Sequence, residues 1–290
     1  LQNKTKIISL NDVGDLTYPY ESLDGDIENI KKITEDNHEI SNLIKKAKKP
    51  LIIFGQSTLK NKSAKYIFES VKLFLEKNNK ISNEWNSLNT ISENASTVGS
   101  FDLGLYKTKD GSNEVLKDLE NHEFEIVYLL GVDNLKFEKK NEFVIYQGSH
   151  GDKGAEMADI ILPGAAYTEQ NGYFTNLEGK LQKAYKASYP PEEAKEDWLI
   201  INELAEVMNH RKLFNDKDEL DSSLLNQINL FIEKDKSVKS SNVENLEFKK
   251  EILKINNEDY YYSNAIARAS KTMFECKKAK INLKLTGTEG

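Results

Sequence analysis

Four short apolar runs, each followed within two residues by glycine or proline, set the limits on what this chain folds into. They are Leu51–Ile52–Ile53–Phe54 before Gly55, Ile126–Val127–Tyr128–Leu129–Leu130 before Gly131, Phe143–Val144–Ile145–Tyr146 before Gly148, and Ile160–Ile161–Leu162 before Pro163–Gly164. Runs this short do not make buried helices, and unbroken apolar character is what a strand covered on both faces of a parallel sheet requires. Helical spacing fills the intervals. Ile27, Ile30 and Ile33, then Ile40, Leu43, Ile44 and Ala47, recur at three and four before Pro50 stops the pattern. Ala64, Ile67, Phe68, Val71, Phe74 and Leu75 form one stripe, with Ser63 as its N-cap and Asn78–Asn79 at its end.

The remaining segments carry weaker signals. Trp85, Leu88, Ile91 and Ala95 give a faint helical stripe before a glycine-containing loop from Gly99 to Gly104, and a short helix is expected near Ser112–Leu119. Pro190–Pro191 is expected to open a helix, with Glu192 and Glu193 favourable in its first turn and Ala194, Trp198, Ile201, Ala205 and Met208 on one face. From Asn209 to Asn257 the texture is Lys/Asp/Ser-rich and reads as irregular helix and loop. A last helix follows Ser263 and places Cys276 on an apolar face, which favours an inert buried thiol over a redox-sensitive one. The expected fold is therefore α/β, a Rossmann-like, mostly parallel sheet flanked by helices. Its expected divisions are a lead-in with helices at 1–48, an α/β domain at 49–209 and an irregular, mainly helical C-terminal extension at 210–290.

Composition removes whole classes of function. No apolar run approaches the ~20 residues of a membrane span, so no direct span is expected. A net charge of -7 opposes binding to a phosphate backbone, so nucleic acid is not expected as a partner. One cysteine excludes a four-thiolate iron–sulfur cluster and a Cys-based zinc site within this chain, and the four histidines show no metal spacing. Lysine outnumbers arginine by 38 to 2, a coding bias to which no function is assigned.

Six of the 15 glycines fall between Gly148 and Gly179, and glycine loops at strand ends are where α/β proteins build sites. Within Gln147–Gly148–Ser149–His150–Gly151–Asp152–Lys153–Gly154, a histidine two residues from a carboxylate has the makings of an acid–base pair, with a structural hydrogen bond as the competing and preferred reading. Pro163 and Gly164, Glu169, and Asn176, Glu178, Gly179 and Lys180 offer polar groups beside the same glycines, where loop capping is the simpler use. Gly55–Gln56–Ser57–Thr58 lacks the G-x-G-x-x-G spacing, so a nucleotide site there ranks last.

The segment Tyr146–Met208 resembles the molybdopterin-oxidoreductase-type domain in the largest iron–sulfur subunit of respiratory complex I. DLTYPYESL at Asp15–Leu23, AKKPLIIFG at Ala47–Gly55, FDLGLY at Phe101–Tyr106 and SNAIARASKTMFEC at Ser263–Cys276 extend the likeness in the same order over almost the whole chain. The resemblance implies a non-catalytic structural role in the matrix-facing peripheral arm of complex I at the mitochondrial inner membrane. The partners it implies are the other peripheral-arm subunits, above all a ferredoxin-like half that carries the iron–sulfur clusters, either as a separate polypeptide of a split subunit or as a part outside the represented chain. No cofactor is expected in this chain itself.

In catalytic relatives the A-D-x-x-L-P and N-x-E-G-R loops help hold a pterin. Here they correspond to Ala158–Pro163 and Asn176–Lys180, with Lys180 at the usual arginine and hence without its planar fork. The resemblance thus makes Gly148, His150, Gly151, Asp152, Gly154, Pro163, Gly164, Glu169, Asn176, Glu178, Gly179 and Lys180 relic loops, with no catalytic residue and no metal ligand. The competing reading is a domain of an active molybdopterin-dependent oxidoreductase completed by a partner chain.

Overall fold

In the computed structural model, residues 5–14, 18–82, 84–92, 94–105, 115–234, 243–253 and 260–286 are described. The chain divides into two units, Leu1–Thr97 with Asp235–Asn256 and Val98–Lys234 with Asn257–Gly290. Residues 15–17 and 106 of the quoted motifs, and 112–114 of the expected short helix, lie outside the described residues.

The first unit holds β1 (Ile8–Ser9), β2 (Glu21–Ser22), α1 (Glu28–Thr34), α2 (Glu39–Lys46), β3 (Ile52–Gly55), α3 (Gln56–Leu59), α4 (Ala64–Lys77) and β4 (Leu88–Ile91). β1 pairs with β2, and β3 with β4, both parallel. The stripe of α4 lies on this second pair, so that Ile27, Phe54, Tyr66, Ile67, Val71, Leu75, Leu88 and Leu253 share one core. Burial of such side chains stabilises by about 1.5–3 kcal/mol each. Ser63 precedes α4 without capping it. Its hydroxyl instead accepts from Lys249 N at 2.8 Å and faces Lys249 O at 3.2 Å. Leu253 N donates to Gly25 O, and Ile27 N to Glu251 O. This late segment therefore belongs to the first core, a long-range pairing with no periodic signature in sequence.

The stripe from Trp85 to Ala95 is not helical: Trp85 Nε1 donates to Pro50 O and Ser87 Oγ at 3.0 Å, and the chain then runs on as β4, where Thr90 and Ile91 suit extended backbone. Nor is β3 covered on both faces, since Phe54 is 5% exposed but Ile53 is 51%.

The second unit starts at Val98, one residue into α5 (Thr97–Asp102), a short helix where a loop is expected from the sequence, and α6 (Val115–Glu120) follows. It continues with β5 (Ile126–Leu130), β6 (Phe143–Gly148), α7 (Lys153–Met157) and β7 (Ile160–Pro163). The three strands form a parallel sheet in the order β5-β6-β7. Val127, Leu129, Val144 and Tyr146 face a core with Leu119, Phe124, Leu135, Phe137 and Ala155, whereas Ile126 on the other face is 63% exposed. The continuous apolar runs thus mark parallel strands correctly and overstate their cover.

An antiparallel hairpin follows, β8 (Gly172–Thr175) with β9 (Leu181–Ala184), which the sequence reading lacks. Helix α8 spans Asp197–Asn209 rather than starting at Pro190–Pro191. Lys195 N donates to Pro163 O and Ala165 N to Lys195 O, so Lys195 is drawn out as an extended residue beside the sheet and no helix can start before it. Ile200 and Ala205 face inward, while Met208 is exposed. The stretch read as irregular contains an 18-residue helix, α9 (Lys217–Lys234). The chain turns from α8 into α9 on buried Asn202, whose Oδ1 accepts from Leu213 N and Phe214 N and whose Nδ2 donates to Phe214 O. The last helix is two, α10 (Ala265–Ala269) and α11 (Lys271–Thr286), broken at extended Ser270. Cys276 is exposed, not buried, because the residues of α11 do not gather into one apolar face.

Glu142, almost wholly buried before β6, accepts from Lys140 N at 2.6 Å and lies 2.7 Å from His122 Nδ1. Backbone N–H donors first, and then His122, hold its carboxyl down at about 2 from the ordinary 4.5. Between those two values the unfolded chain binds a proton that the folded one does not, so this stabilisation is complete above about pH 4.5 and drains away as the pH falls toward 2. Urea midpoints measured from about pH 6 to pH 2.5 are expected to fall more steeply for the native chain than for Glu142→Gln. Parallel curves would place the acid sensitivity elsewhere.

Candidate functional site

The glycine loop leaves β6 at Gly148, at the carboxyl end of the parallel strands. Tyr146 folds its ring back over this loop, its hydroxyl donating to His150 O at 2.7 Å. A Cβ on Gly148 would collide with the end of that ring, and one on Gly154 would lie 2.6 Å from Val132 O and 3.0 Å from Tyr146 Cδ2. These two glycines therefore make room for a side chain of their own chain, and Gly151 faces open space. His150 and Asp152 point to different partners. The imidazole Nδ1 lies 3.0 Å from Ser149 Oγ. Asp152 caps α7 through Lys153 N at 2.8 Å and accepts from Arg268 Nε at 2.5 Å. Burial acts to raise the Asp152 carboxyl, but Arg268 and the Lys153 N–H outweigh it and hold it below the usual range. The acid–base pair read from their spacing is thus not assembled.

Beyond β7, Pro163 closes the strand and accepts from Lys195 N. A Cβ on Gly164 would lie 2.9 Å from Asp197 Oδ1. Asp197, the first residue of α8, takes Gln147 Nε2 on one oxygen at 2.8 Å and Gln170 Nε2 on the other at 3.0 Å, while Tyr128 donates to Gln147 Oε1 at 2.5 Å. Burial first, and the Asp197 charge second, push the Tyr128 phenol up. Glu169 caps its own turn by accepting from Ala166 N at 2.9 Å.

The third group sits apart, on the β8–β9 hairpin. Asn176 Oδ1 accepts from Glu178 N and Lys180 N, and Gly179 N donates to Asn176 O with Gly179 at a φ of +78°. The loop is thereby closed on itself, with Glu178 and Lys180 exposed. Its hairpin is anchored by Asp221 of α9, which meets Lys217 at 2.6 Å and Lys183 at 2.9 Å and accepts from Tyr173. Burial opposes ionisation of Asp221, and the two lysines prevail, so its carboxyl is lowered.

The glycines and carboxylates stand out in the sequence, but their partners Arg268, Asp133, Tyr146, Gln147, Gln170 and Asp197 do not. Two signals were present. Arg268 is one of two arginines against 38 lysines, and Gln147 is a polar residue directly after an apolar run. Chemically the arrangement is a set of carboxylates and amides held by partners from within the chain, Asp152 by an arginine and Asp197 by two amides. Among the described residues no group of three or more His, Cys, Asp or Glu is placed to hold a metal ion, and no helix is long and apolar enough to cross a membrane. At the Gly55 turn, α3 follows at once and has only four residues, too short to present a helix-end anion site.

A family model of molybdopterin oxidoreductase matches residues 1–207, and one of the C-terminal part of the NADH-ubiquinone oxidoreductase G subunit matches residues 227–276. The NADH-ubiquinone oxidoreductase 75 kDa subunit of Reclinomonas americana is 37% identical over 289 residues, 95% of this chain and 41% of that protein. The NADH-quinone oxidoreductase G subunit of Rickettsia bellii is 35% identical over 288 residues, 97% of this chain and 41% of its own length. Its counterpart from Rickettsia felis is 36% identical over 280 residues, 95% of this chain and 40% of its own. The chain spans about two fifths of the length of these curated relatives.

Proposed function

The chain belongs to the molybdopterin oxidoreductase family, in the form that makes up part of the complex I 75 kDa subunit, and from that premise we propose that it is a non-catalytic structural element of the peripheral arm of mitochondrial complex I. Its partner is the ferredoxin-like iron–sulfur portion, on the same or a separate polypeptide, together with neighbouring arm subunits on the matrix side of the inner membrane. Its contribution to electron transfer is positional: it fixes and shields a cluster-bearing neighbour and carries no electron. The observation that carries this reading is the match of nearly the whole chain to these complex I relatives. A single exposed cysteine supports it, since a cluster needs several thiolates.

The family's pterin does not fit the residues present. A pterin and its phosphate need donors and clearance, but the clearance at Gly148 and Gly154 is taken by Tyr146 and that at Gly164 by Asp197. Asp152 is held by Arg268, and the Asn176 loop satisfies its own N–H groups.

Native purification from the source membrane, with mass spectrometry of comigrating chains and metal analysis, tests the proposal. The chain is expected to travel in an NADH-oxidising assembly beside a cysteine-rich iron–sulfur segment, without stoichiometric molybdenum. Migration alone would overturn it, and stoichiometric molybdenum would support instead a working molybdopterin-dependent oxidoreductase completed by a partner.

A further inference from the structure

Asp133 follows β5 and Asp152 follows β6, so two carboxylates stand at the carboxyl ends of adjacent parallel strands, the place where open α/β sheets take their ligands. One guanidinium from far along the chain, 116 residues beyond Asp152, meets both. Arg268 Nε donates to Asp152 Oδ2 at 2.5 Å, Nη2 lies 2.8 Å from Asp133 Oδ1 as an ion pair, and Nη1 donates to Tyr262 O at 3.1 Å. The side chains of Arg268, Asp133 and Asp152 are 21%, 21% and 18% exposed, so the cluster is largely withdrawn from solvent. The segment that delivers the arginine is braced by itself: Asn264 caps α10 by accepting from Ala267 N, and Lys277 of α11 lies over the Tyr262 ring at 4.3 Å. A lysine would meet one carboxylate as a point charge, whereas the planar fork serves both and the Tyr262 carbonyl as well. Arginine stands here in a chain that otherwise uses lysine almost throughout.

We propose that residues 260–280 form a latch whose bolt is Arg268, holding down the loop from Ser149 to Lys153 at the strand ends. With the guanidinium gone, Asp133 and Asp152 repel each other above Tyr146, whose hydroxyl holds the loop through His150 O. The loop then opens while the sheet beneath it stays folded.

Lys153, exposed at the start of α7, gives trypsin a cleavage site in this loop, and Lys77 at the end of α4 gives a reference site in the other unit. In the full chain, Arg268→Gln is expected to raise cleavage after Lys153, and amide exchange over 149–153, by roughly tenfold or more, because cleavage follows the open population. Arg268→Lys should raise both by less, cleavage after Lys77 should not change, and adding Asp152→Asn to Arg268→Gln should open the loop no further. Unchanged cleavage at Lys153 in a folded Arg268→Gln chain would overturn the latch, as would equal acceleration at Lys77. If Arg268→Gln does not fold, Arg268→Lys carries the test, with unchanged cleavage at Lys153 as the overturning result.

Discussion

Gly154→Ala is expected to destabilise the second unit by about 2–3 kcal/mol, whereas Gly151→Ala, three residues earlier, should stay within about 0.5 kcal/mol of the native chain. Both changes add one methyl group, and only the surroundings differ. At Gly154 the new carbon would meet the Val132 carbonyl at 2.6 Å and the Tyr146 ring at 3.0 and 3.1 Å; at Gly151 nothing lies within 4 Å. Neither obstacle yields easily. The carbonyl is backbone, and the ring is buried and tied through its hydroxyl to His150 O. Gly154 N also donates to Asp133 O at 3.0 Å, so a shift of α7 away from the clash would loosen the loop that Asp152 and Arg268 hold. Alanine's better helix propensity works the other way by about 1 kcal/mol, too little to reverse the sign. The two tryptophans fall one in each unit, Trp85 in the first and Trp198 in the second, so urea unfolding followed by Trp198 fluorescence in a Trp85→Phe background reports on the second. Equal midpoints for the two glycine variants would mean that α7 is not packed against the Val132 carbonyl.

Four of the parallel strands, β3, β5, β6 and β7, were legible because each is an unbroken apolar run with glycine or proline marking its end, whereas β4, paired parallel with β3, was not. Helices α1, α2 and α4 were legible for a similar reason, each presenting one apolar stripe to one core. Where the chain's own long-range contacts decide, local pattern misled. The start of α8 is set by Lys195 bonding beside Pro163, and Ser63 is held by Lys249, 186 residues away, rather than by the helix it precedes. The hairpin β8–β9 escaped notice because Gly172–Thr175 and Leu181–Ala184 lack clean alternation. In α9, Leu220, Leu224 and Ile228 do recur at helical spacing, hidden among Asp, Ser and Lys.

The same distinction governs the site. The crowding of glycines located the strand-end loops, but whether such a loop receives a ligand or is filled from within depends on partners that spacing does not reveal. Arg268 reaches Asp152 across 116 residues and Asp197 reaches Gln147 across 50. A carboxylate beside a glycine reads the same in sequence whether it faces solvent, a ligand or an arginine.

Gln147→Leu is expected to lower the stability of the second unit by about 2–4 kcal/mol despite the near match in volume, and to do so through polar groups it leaves unpaired. Gln147 is fully buried, accepting from Tyr128 and donating to Asp197 Oδ1. Leucine takes both partners away, so the phenol and one carboxylate oxygen face an apolar side chain. Asp197→Ala should cost a similar amount by the opposite route, stranding the amides of Gln147 and Gln170 together and removing an acidic residue from the first turn of α8. Because the two variants break one shared bond, the double variant should lose about 1 kcal/mol or more less than the sum of the singles, as fits a network acting as one unit. Trp198 adjoins Asp197 and reports the unfolding directly. Additivity to within about 0.3 kcal/mol would show that Gln147 and Asp197 act separately. Strong coupling would mean that the end of β6 and the start of α8 are locked together beside Gly164. That rigidity would suit the positional role proposed for the chain.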